Sequence, residues 1–180
     1  MILINLFGGP GIGKTVLSAD LFSILSKLGH NTELILEYAK SCYYENRMNI
    51  LKEDQLYVLA KQHRSIARLK NHNVEYVVVD GPMEMSAAYN NPDTFDQNLM
   101  EQTIKYLHNN YTCLNILLER NLSYGFNPVG RYQKNIDEAI EYDKSIITIL
   151  DKLQLDFASH INNDEIIPFI LNKLRNMHAN

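Results

Sequence analysis

The chain has 180 residues, of which 46% are apolar and 21% are charged, and its formal net charge at pH 7 is −4. These proportions are typical of one globular domain, because the apolar fraction is large enough to form a core, and they exclude a disordered chain. The acidic balance argues against a broad basic face for nucleic acid, and no stretch approaches the roughly 20 apolar residues of a membrane span.

The apolar pattern divides the chain into alternating strands and helices. Residues 2–7 form a short apolar run that ends in glycines, which is typical of a buried strand, and residues 16–28 have apolar residues at helical spacing. Further strands are predicted at residues 32–36, 74–79, 113–118 and 155–158, and further helices at residues 53–70, 95–107, 136–153 and 164–175. Because strands and helices alternate, right-handed crossovers would build a parallel sheet with helices on both faces. We therefore expect one three-layer α/β domain over residues 1–180.

The helix predicted at residues 53–70 carries apolar residues along one side. That side is expected to be buried and consists of Leu56, Leu59, Ala60, His63, Ile66 and Ala67. His63 lies among apolar neighbours, so a packed histidine is favoured over a catalytic one.

A glycine-rich segment links the first strand to the first helix and reads Gly8-Gly9-Pro10-Gly11-Ile12-Gly13-Lys14-Thr15. It satisfies the pattern G-x-x-x-x-G-K-[ST] between a strand and a helix, which is the context that a phosphate-binding loop requires. Its backbone N–H groups and the helix N-terminus would surround the phosphates of ATP. Lys14 would reach the β- and γ-phosphates, and the Thr15 hydroxyl would coordinate Mg²⁺.

Two carboxylates follow predicted strands. Asp80 comes after Val77-Val78-Val79, a position that suits an acid on the Mg²⁺ side, although an aspartate that caps the turn at Gly81-Pro82 is the alternative. Glu37 ends the second strand and could accept a hydrogen bond from the hydroxyl of a phosphoryl acceptor. The alternative for Glu37 is a charge at a helix N-terminus.

Two arginines flank the only stretch rich in turn-forming residues, residues 121–130. Arg120 and Arg131 are expected to stabilise charge on the transferring phosphoryl group, from a lid over about residues 120–134. Two ordinary surface arginines are the alternative.

On the acceptor side, contacts to a base, sugar or phosphate are predicted for Tyr38, Lys40, Gln62 and Arg64, with solvated polar residues as the alternative.

Several motifs together carry a resemblance to a known family. They are Phe7 to Thr15, Glu37-Tyr38-Ala39-Lys40, Asp54-Gln55-Leu56-Tyr57, Gln62, Val79-Asp80-Gly81-Pro82 and Gly130-Arg131-Tyr132-Gln133. With these motifs the chain resembles phage-encoded ATP-binding P-loop proteins, which are similar to the nicotinamide riboside kinase domain and to nucleoside and nucleotide kinases. The resemblance implies a sheet of five strands in the order 2-3-1-4-5. It also implies that Glu37 faces the acceptor and Asp80 faces Mg²⁺. Gly81 departs from the serine expected in many such phage proteins, so a hydroxyl near the metal is missing.

The residues and the resemblance predict ATP- and Mg²⁺-dependent phosphoryl transfer to a nucleoside, a nucleotide or a related small hydroxyl acceptor. A kinase of hydroxymethylated bases in phage DNA and a nucleotide-dependent ATPase switch are the alternatives. The expected partner is a small molecule, with DNA less favoured and a homodimer left open. The expected location is the cytoplasm, that of the host cell if a phage encodes the chain, because neither a leader nor a disulfide pattern is present.

Overall fold

One parallel sheet forms the centre of the molecule. The computed structural model describes residues 1–123, 125 and 135–179. The strands in these ranges are β1 (Ile2–Phe7), β2 (Thr32–Ile35), β3 (Tyr76–Asp80), β4 (Thr112–Glu119) and β5 (Ala158–Ile161). Their order is β2-β3-β1-β4-β5, and every neighbouring pair is parallel. The predicted fold class and strand order are therefore confirmed.

The helices cover both faces of this sheet. Within the described ranges they are α1 (Lys14–Lys27), α2 (Tyr38–Tyr44), α3 (Met48–Glu53), α4 (Gln55–Ala67), α5 (Met85–Ala88), α6 (Gln97–His108), α7 (Ile136–Leu153) and α8 (Ile166–Ala179). Successive side chains of β1 point to opposite faces, so Ile4 and Leu6 pack with α1 and α8. On the other face Leu3 packs with α4, α6 and α7, and Phe7 packs with α5 and α7. No described helix is both long enough and apolar enough to cross a bilayer.

The parallel direction of the strands determines where a ligand site can form. The register places Leu6 of β1 beside Asp80 of β3, and Val79 of β3 beside Ile35 of β2. The segments that follow these three strands therefore meet at one edge of the sheet. Open α/β sheets bind their ligands at this carboxyl edge.

The long helix predicted at residues 53–70 is confirmed as α4, which covers Gln55–Ala67, and only Glu53 of the predicted range belongs to the preceding helix α3. The helical conformation is interrupted at Asp54, where φ is −136°. The Asp54 side chain caps α4 by accepting a hydrogen bond from the backbone N–H of Tyr57 (3.0 Å). Such an N-cap starts a new helix rather than continuing the preceding one. The short helices α2, α3 and α5 were not predicted, because elements of four to seven residues are too short to show a period.

The predicted buried side of this helix is partly wrong. The buried residues of α4 are Gln55, Val58, Leu59, Gln62 and Ile66, whereas Leu56 is 38% exposed. Two glutamines are buried because their amides bond to backbone groups, as Gln55 does to the carbonyl of Leu51 (2.7 Å).

The last strand lies three residues later than predicted, at Ala158–Ile161 rather than at residues 155–158. Leu155 and Phe157 supplied the apolar signal, but they pack in the core beside α7 before the strand begins. The remaining predicted elements agree with the structure within a few residues, and α7 has the predicted bounds.

Candidate active site

The phosphate loop is held in shape from two sides. Gly13 has φ +98° and immediately precedes α1, so it occupies the left-handed conformation that glycine adopts without steric cost. Since Gly13 has no side chain with which to cap the helix, the first N–H groups of α1 are open to an anion. On the outer side, the Asn162 amide donates to the carbonyl of Ile12 (2.7 Å), and a Cβ at Gly13 would clash with that amide.

Lys14 lies across the inside of this loop. Its buried ammonium group donates to the carbonyl oxygens of Gly8 (2.6 Å) and Gly9 (3.1 Å). An ammonium group has three N–H donors, so these two bonds leave one donor for a phosphate oxygen. The lysine therefore both braces the loop and brings a positive charge to the place where the motif predicts phosphates.

Arg120 contacts the phosphate loop at Pro10. The Arg120 guanidinium pairs with the carboxylate of Asp143 (Nε to Oδ2, 2.7 Å) and also donates to the carbonyl of Pro10 (3.0 Å). Arg120 does not line the cavity beside the loop. The structure thus places this predicted charge-stabilising residue against the loop backbone.

A single cavity of about 710 Å³ connects the loop to the end of β2. This volume lies in the range of small-molecule sites, roughly 300–1,000 Å³. The loop side consists of Pro10, Gly11, Ile12, Gly13, Lys14 and Thr15. The opposite side, which we call the acceptor wall, includes Glu37, Tyr38, Lys40, Gln62, Tyr89 and Tyr142. The cavity therefore brings together most of the predicted phosphate and acceptor residues, whereas Arg64 is exposed and does not line it.

Glu37 is placed by the end of β2 and by Gly81. It occupies the N-cap position of α2 and makes no capping hydrogen bond, so the acceptor role and the alternative of a charge at a helix N-terminus both stay predictions. Gly81 has φ +76°, and a Cβ added there would lie 2.8 Å from Glu37 Cγ and 2.9 Å from Glu37 Cβ. Because Gly81 has no side chain, the Glu37 side chain can occupy this space.

We expect Gly81→Ala to displace Glu37. A left-handed φ and a close contact both oppose the alanine, so the free energy of unfolding should fall by more than about 1 kcal/mol. Gly29→Ala is the matched control, because Gly29 has φ +92° and no atom within 4 Å of an added Cβ. Denaturant unfolding and phosphoryl-transfer rates of both variants measure the two effects. Equal activity of the two folded variants would contradict a role for Gly81 in placing Glu37.

Asp80, the residue predicted on the Mg²⁺ side, does not itself line the cavity, although its neighbour Gly81 does. Asp80 is 1% exposed at the end of β3, and its Oδ1 atom is buried without a hydrogen-bond partner among the described residues. A buried carboxylate oxygen needs a partner, and the water shell of Mg²⁺ would supply one. The described residues contain no group of three His, Cys, Asp or Glu that could hold a metal. The prediction that Asp80 and the Thr15 hydroxyl would hold Mg²⁺ together with phosphate oxygens agrees with the usual preference of this ion for few protein ligands.

The predicted acceptor-side residues differ in what they contact. The Gln62 amide lines the cavity but is bound to backbone groups: its nitrogen donates to the Gly81 carbonyl (2.7 Å) and its oxygen accepts from the Tyr38 N–H (3.3 Å). Gln62 thus ties the segments after β2 and β3 together. The Tyr38 hydroxyl donates to the Tyr57 hydroxyl (3.4 Å), and this bond raises the pKa of Tyr38. Lys40 is exposed at the cavity rim.

Two tyrosines of the cavity were not predicted. The rings of Tyr89 and Tyr142 are stacked, with centroids 4.7 Å apart and 23° between their planes. Burial, reinforced by the negative charge of Glu37, raises the pKa of Tyr89 well above its usual value. The Tyr89 phenol therefore stays protonated and can donate a hydrogen bond. In a chain with 11 tyrosines, residue type alone could not identify these two.

Asp143 was also missed, although the sequence contains a signal for it. It lies on α7 between the buried residues Ala139 and Ile146, at spacings of four and three residues. A carboxylate on the buried side of an amphipathic helix requires a partner. The predicted lid residue Arg131 lies outside the described residues, as does most of the predicted lid.

Comparison with known proteins agrees with this geometry. Residues 3–164 match the model of a family described as an AAA domain. The chain belongs to this AAA-domain family. No protein of curated function matches the AAA-domain chain by sequence.

Solved structures that share the fold include two kinases and the NadR protein. Deoxyadenosine kinase from M. mycoides is 19% identical, with a TM-score of 0.57 over 98% of this chain and 100% of that one. Thymidylate kinase from Ehrlichia chaffeensis is 16% identical, with a TM-score of 0.61 over 99% and 98% of the two chains. The NadR protein in complex with NR is 17% identical, with a TM-score of 0.61 over 91% of this chain but only 44% of that one. The AAA-domain chain therefore has the P-loop fold of nucleoside and nucleotide kinases.

Proposed function

We propose that this protein transfers the γ-phosphoryl group of ATP, with Mg²⁺, to a hydroxyl group of a nucleoside, a nucleotide or a related small acceptor. The observation that carries the proposal is the cavity lined by both the phosphate loop and Glu37. A protein that only binds a nucleotide needs the loop, whereas a transferase also needs a second binding wall with a group that can take a proton. Deoxyadenosine kinase and thymidylate kinase, which share the fold, support the same class of acceptor.

On the donor side, the proposed roles follow from charge. Lys14 and the N–H groups at the start of α1 would hold the phosphates of ATP, and Thr15 and Asp80 would hold Mg²⁺. When bound, Mg²⁺ neutralises charge on the phosphate oxygens. Arg120 would keep the loop in place through Pro10 and add positive charge beside it. By resemblance, Arg131 would contribute from the lid.

On the acceptor side, Glu37 would accept a hydrogen bond from the acceptor hydroxyl. As the acceptor oxygen forms its bond to the γ-phosphorus, the bond from that phosphorus to the β-γ bridging oxygen breaks, and the acceptor proton passes to Glu37. The stacked Tyr89 and Tyr142 give the cavity a flat apolar wall that suits a base or sugar face.

Incubation with γ-labelled ATP tests the proposal directly. The acceptor panel contains deoxynucleosides, ribonucleosides, mononucleotides, nicotinamide riboside and DNA with hydroxymethylated bases. We expect label in one of the free small molecules. Label in DNA would favour the DNA-base kinase, and label found only in inorganic phosphate, with or without the panel, would favour an ATPase switch and overturn the proposal.

A further inference from the structure

A carboxylate from α7 is bound to the backbone of the phosphate loop. Asp143 Oδ1 accepts hydrogen bonds from the backbone N–H of Gly9 (2.7 Å) and from Arg120 Nη2 (3.1 Å), while Oδ2 accepts from Arg120 Nε (2.7 Å). The same Arg120 Nη2 donates to the Pro10 carbonyl (3.0 Å). Two successive residues of the loop, Gly9 and Pro10, are thus bound by one ion pair.

This ion pair is sheltered from solvent. The side chains of Arg120 and Asp143 are 10% and 22% exposed, whereas those of Lys144 and Glu141, an ion pair on the same helix, are 67% and 70% exposed. Solvent and salt screen an exposed pair, so it contributes little, but a bidentate pair that is sheltered from solvent is stronger. The Arg120–Asp143 pair can therefore hold a loop that would otherwise be free to move.

The loop fits closely against α7 at this point. A Cβ added at Gly9 would clash with the Asp143 carboxylate and would lie 2.9 Å from the carbonyl oxygen of Ala139. A glycine at position 9 is thus needed for the carboxylate to reach the loop. Because glycines lose more conformational freedom than other residues when they are ordered, a loop with four of them gains most from such an anchor.

The same turn of α7 also reaches the acceptor wall. Tyr142, next to Asp143, lines the cavity and stacks on Tyr89. One helix therefore contacts the donor loop through Asp143 and the acceptor wall through Tyr142, which fixes the spacing between the two binding walls.

We propose that Asp143 is a positioning residue for phosphoryl transfer, which holds the phosphate loop at Gly9 and holds Arg120 against Pro10. Asp143 acts through these groups and does not itself line the cavity. The inference rests on the proposed function, since it assigns a part in that reaction. It predicts that loss of the carboxylate weakens nucleotide binding and slows transfer even in a correctly folded protein.

The test compares Asp143→Asn with Glu141→Gln, a matched change on the same helix that removes only the exposed pair. We expect Asp143→Asn to raise the ATP dissociation constant and to lower kcat, each by roughly tenfold or more, since a hydrogen bond to a charged group is lost at both partners. Glu141→Gln should match the wild type in both. A merely structural role would lower the midpoint of thermal unfolding of Asp143→Asn while leaving its ATP affinity and kcat unchanged, and that result would overturn the inference.

A second variant decides the matter if Asp143→Asn does not fold. Arg120→Gln removes the other half of the same pair together with the bond to Pro10, so its losses in ATP affinity and kcat should be at least as large as those of Asp143→Asn. In the double variant the losses should not add, because both changes break one interaction. Full additivity, or wild-type ATP affinity in folded Arg120→Gln, would contradict the positioning role. Failure of the wild type to bind ATP would instead overturn the proposed function, so the two failures are distinguishable.

Discussion

Lys14→Ala is expected to abolish phosphoryl transfer, with a loss in kcat of about a hundredfold or more, while the protein remains folded. The ammonium group lies inside the phosphate loop at 2.6 Å from the Gly8 carbonyl. Removing a preorganised donor that stabilises developing charge costs about a hundred- to a thousandfold in other enzymes. Mg²⁺ compensates little, since it contacts other oxygens. The measurements are kcat with labelled ATP and the midpoint of thermal unfolding.

Lys27→Ala is the matched control for this experiment. Lys27 is the last residue of the same helix and is exposed, so its loss changes the net charge by the same amount far from the loop. We expect its activity to equal that of the wild type. If folded Lys14→Ala retained more than a few per cent of wild-type kcat while Lys27→Ala was fully active, Lys14 would have no essential part in transfer.

The sheet and the phosphate loop could be predicted because their signals are local. β1 and the loop follow from five apolar residues among residues 2–7, a G-x-x-x-x-G-K-[ST] motif and the helical period after it. α7 has the predicted bounds, and its start is fixed by a local contact, because the Asn135 side chain accepts a hydrogen bond from the Glu138 N–H (2.9 Å). Local signals of this kind do not depend on the rest of the fold.

The inner contacts of the site could not be predicted in the same way. Gln62 was expected to face a substrate, but its amide binds the carbonyl of Gly81, 19 residues away. Arg120 was expected to act on phosphate, and it binds Asp143, 23 residues away. In both cases residue type indicates that a polar side chain needs a partner, whereas the choice of partner depends on how distant segments pack. The site roles of Glu37, Asp80 and Arg131 stay predictions.

Asp80 and Glu37 are the two carboxylates whose roles can be separated by experiment. Asp80 is buried, and its Oδ1 atom has no hydrogen-bond partner within the described ranges, whereas Glu37 lines the cavity beside Gly81. From these surroundings we predict that Asp80 binds hydrated Mg²⁺ and that Glu37 accepts a hydrogen bond from the acceptor hydroxyl. The two variants Asp80→Asn and Glu37→Gln remove one negative charge each and keep the size of the side chain.

Asp80→Asn is expected to raise the Mg²⁺ concentration needed for half-maximal rate by about tenfold or more, since one bond to the hydrated ion loses its charge. Its free energy of unfolding should not fall, because the buried Oδ1 of Asp80, which has no hydrogen-bond partner among the described residues, is itself unfavourable. Glu37→Gln should keep the wild-type ATP affinity and Mg²⁺ requirement but lower transfer to the acceptor by about a hundredfold, since a positioned base contributes about a hundred- to ten-thousandfold. Slow hydrolysis of ATP by water should persist in Glu37→Gln, because water does not use the acceptor wall.

The decisive measurement is a titration of Mg²⁺ against both transfer and hydrolysis, with ATP affinity determined separately. If Glu37→Gln shifted the Mg²⁺ requirement and Asp80→Asn affected only the acceptor, the two roles would have to be exchanged.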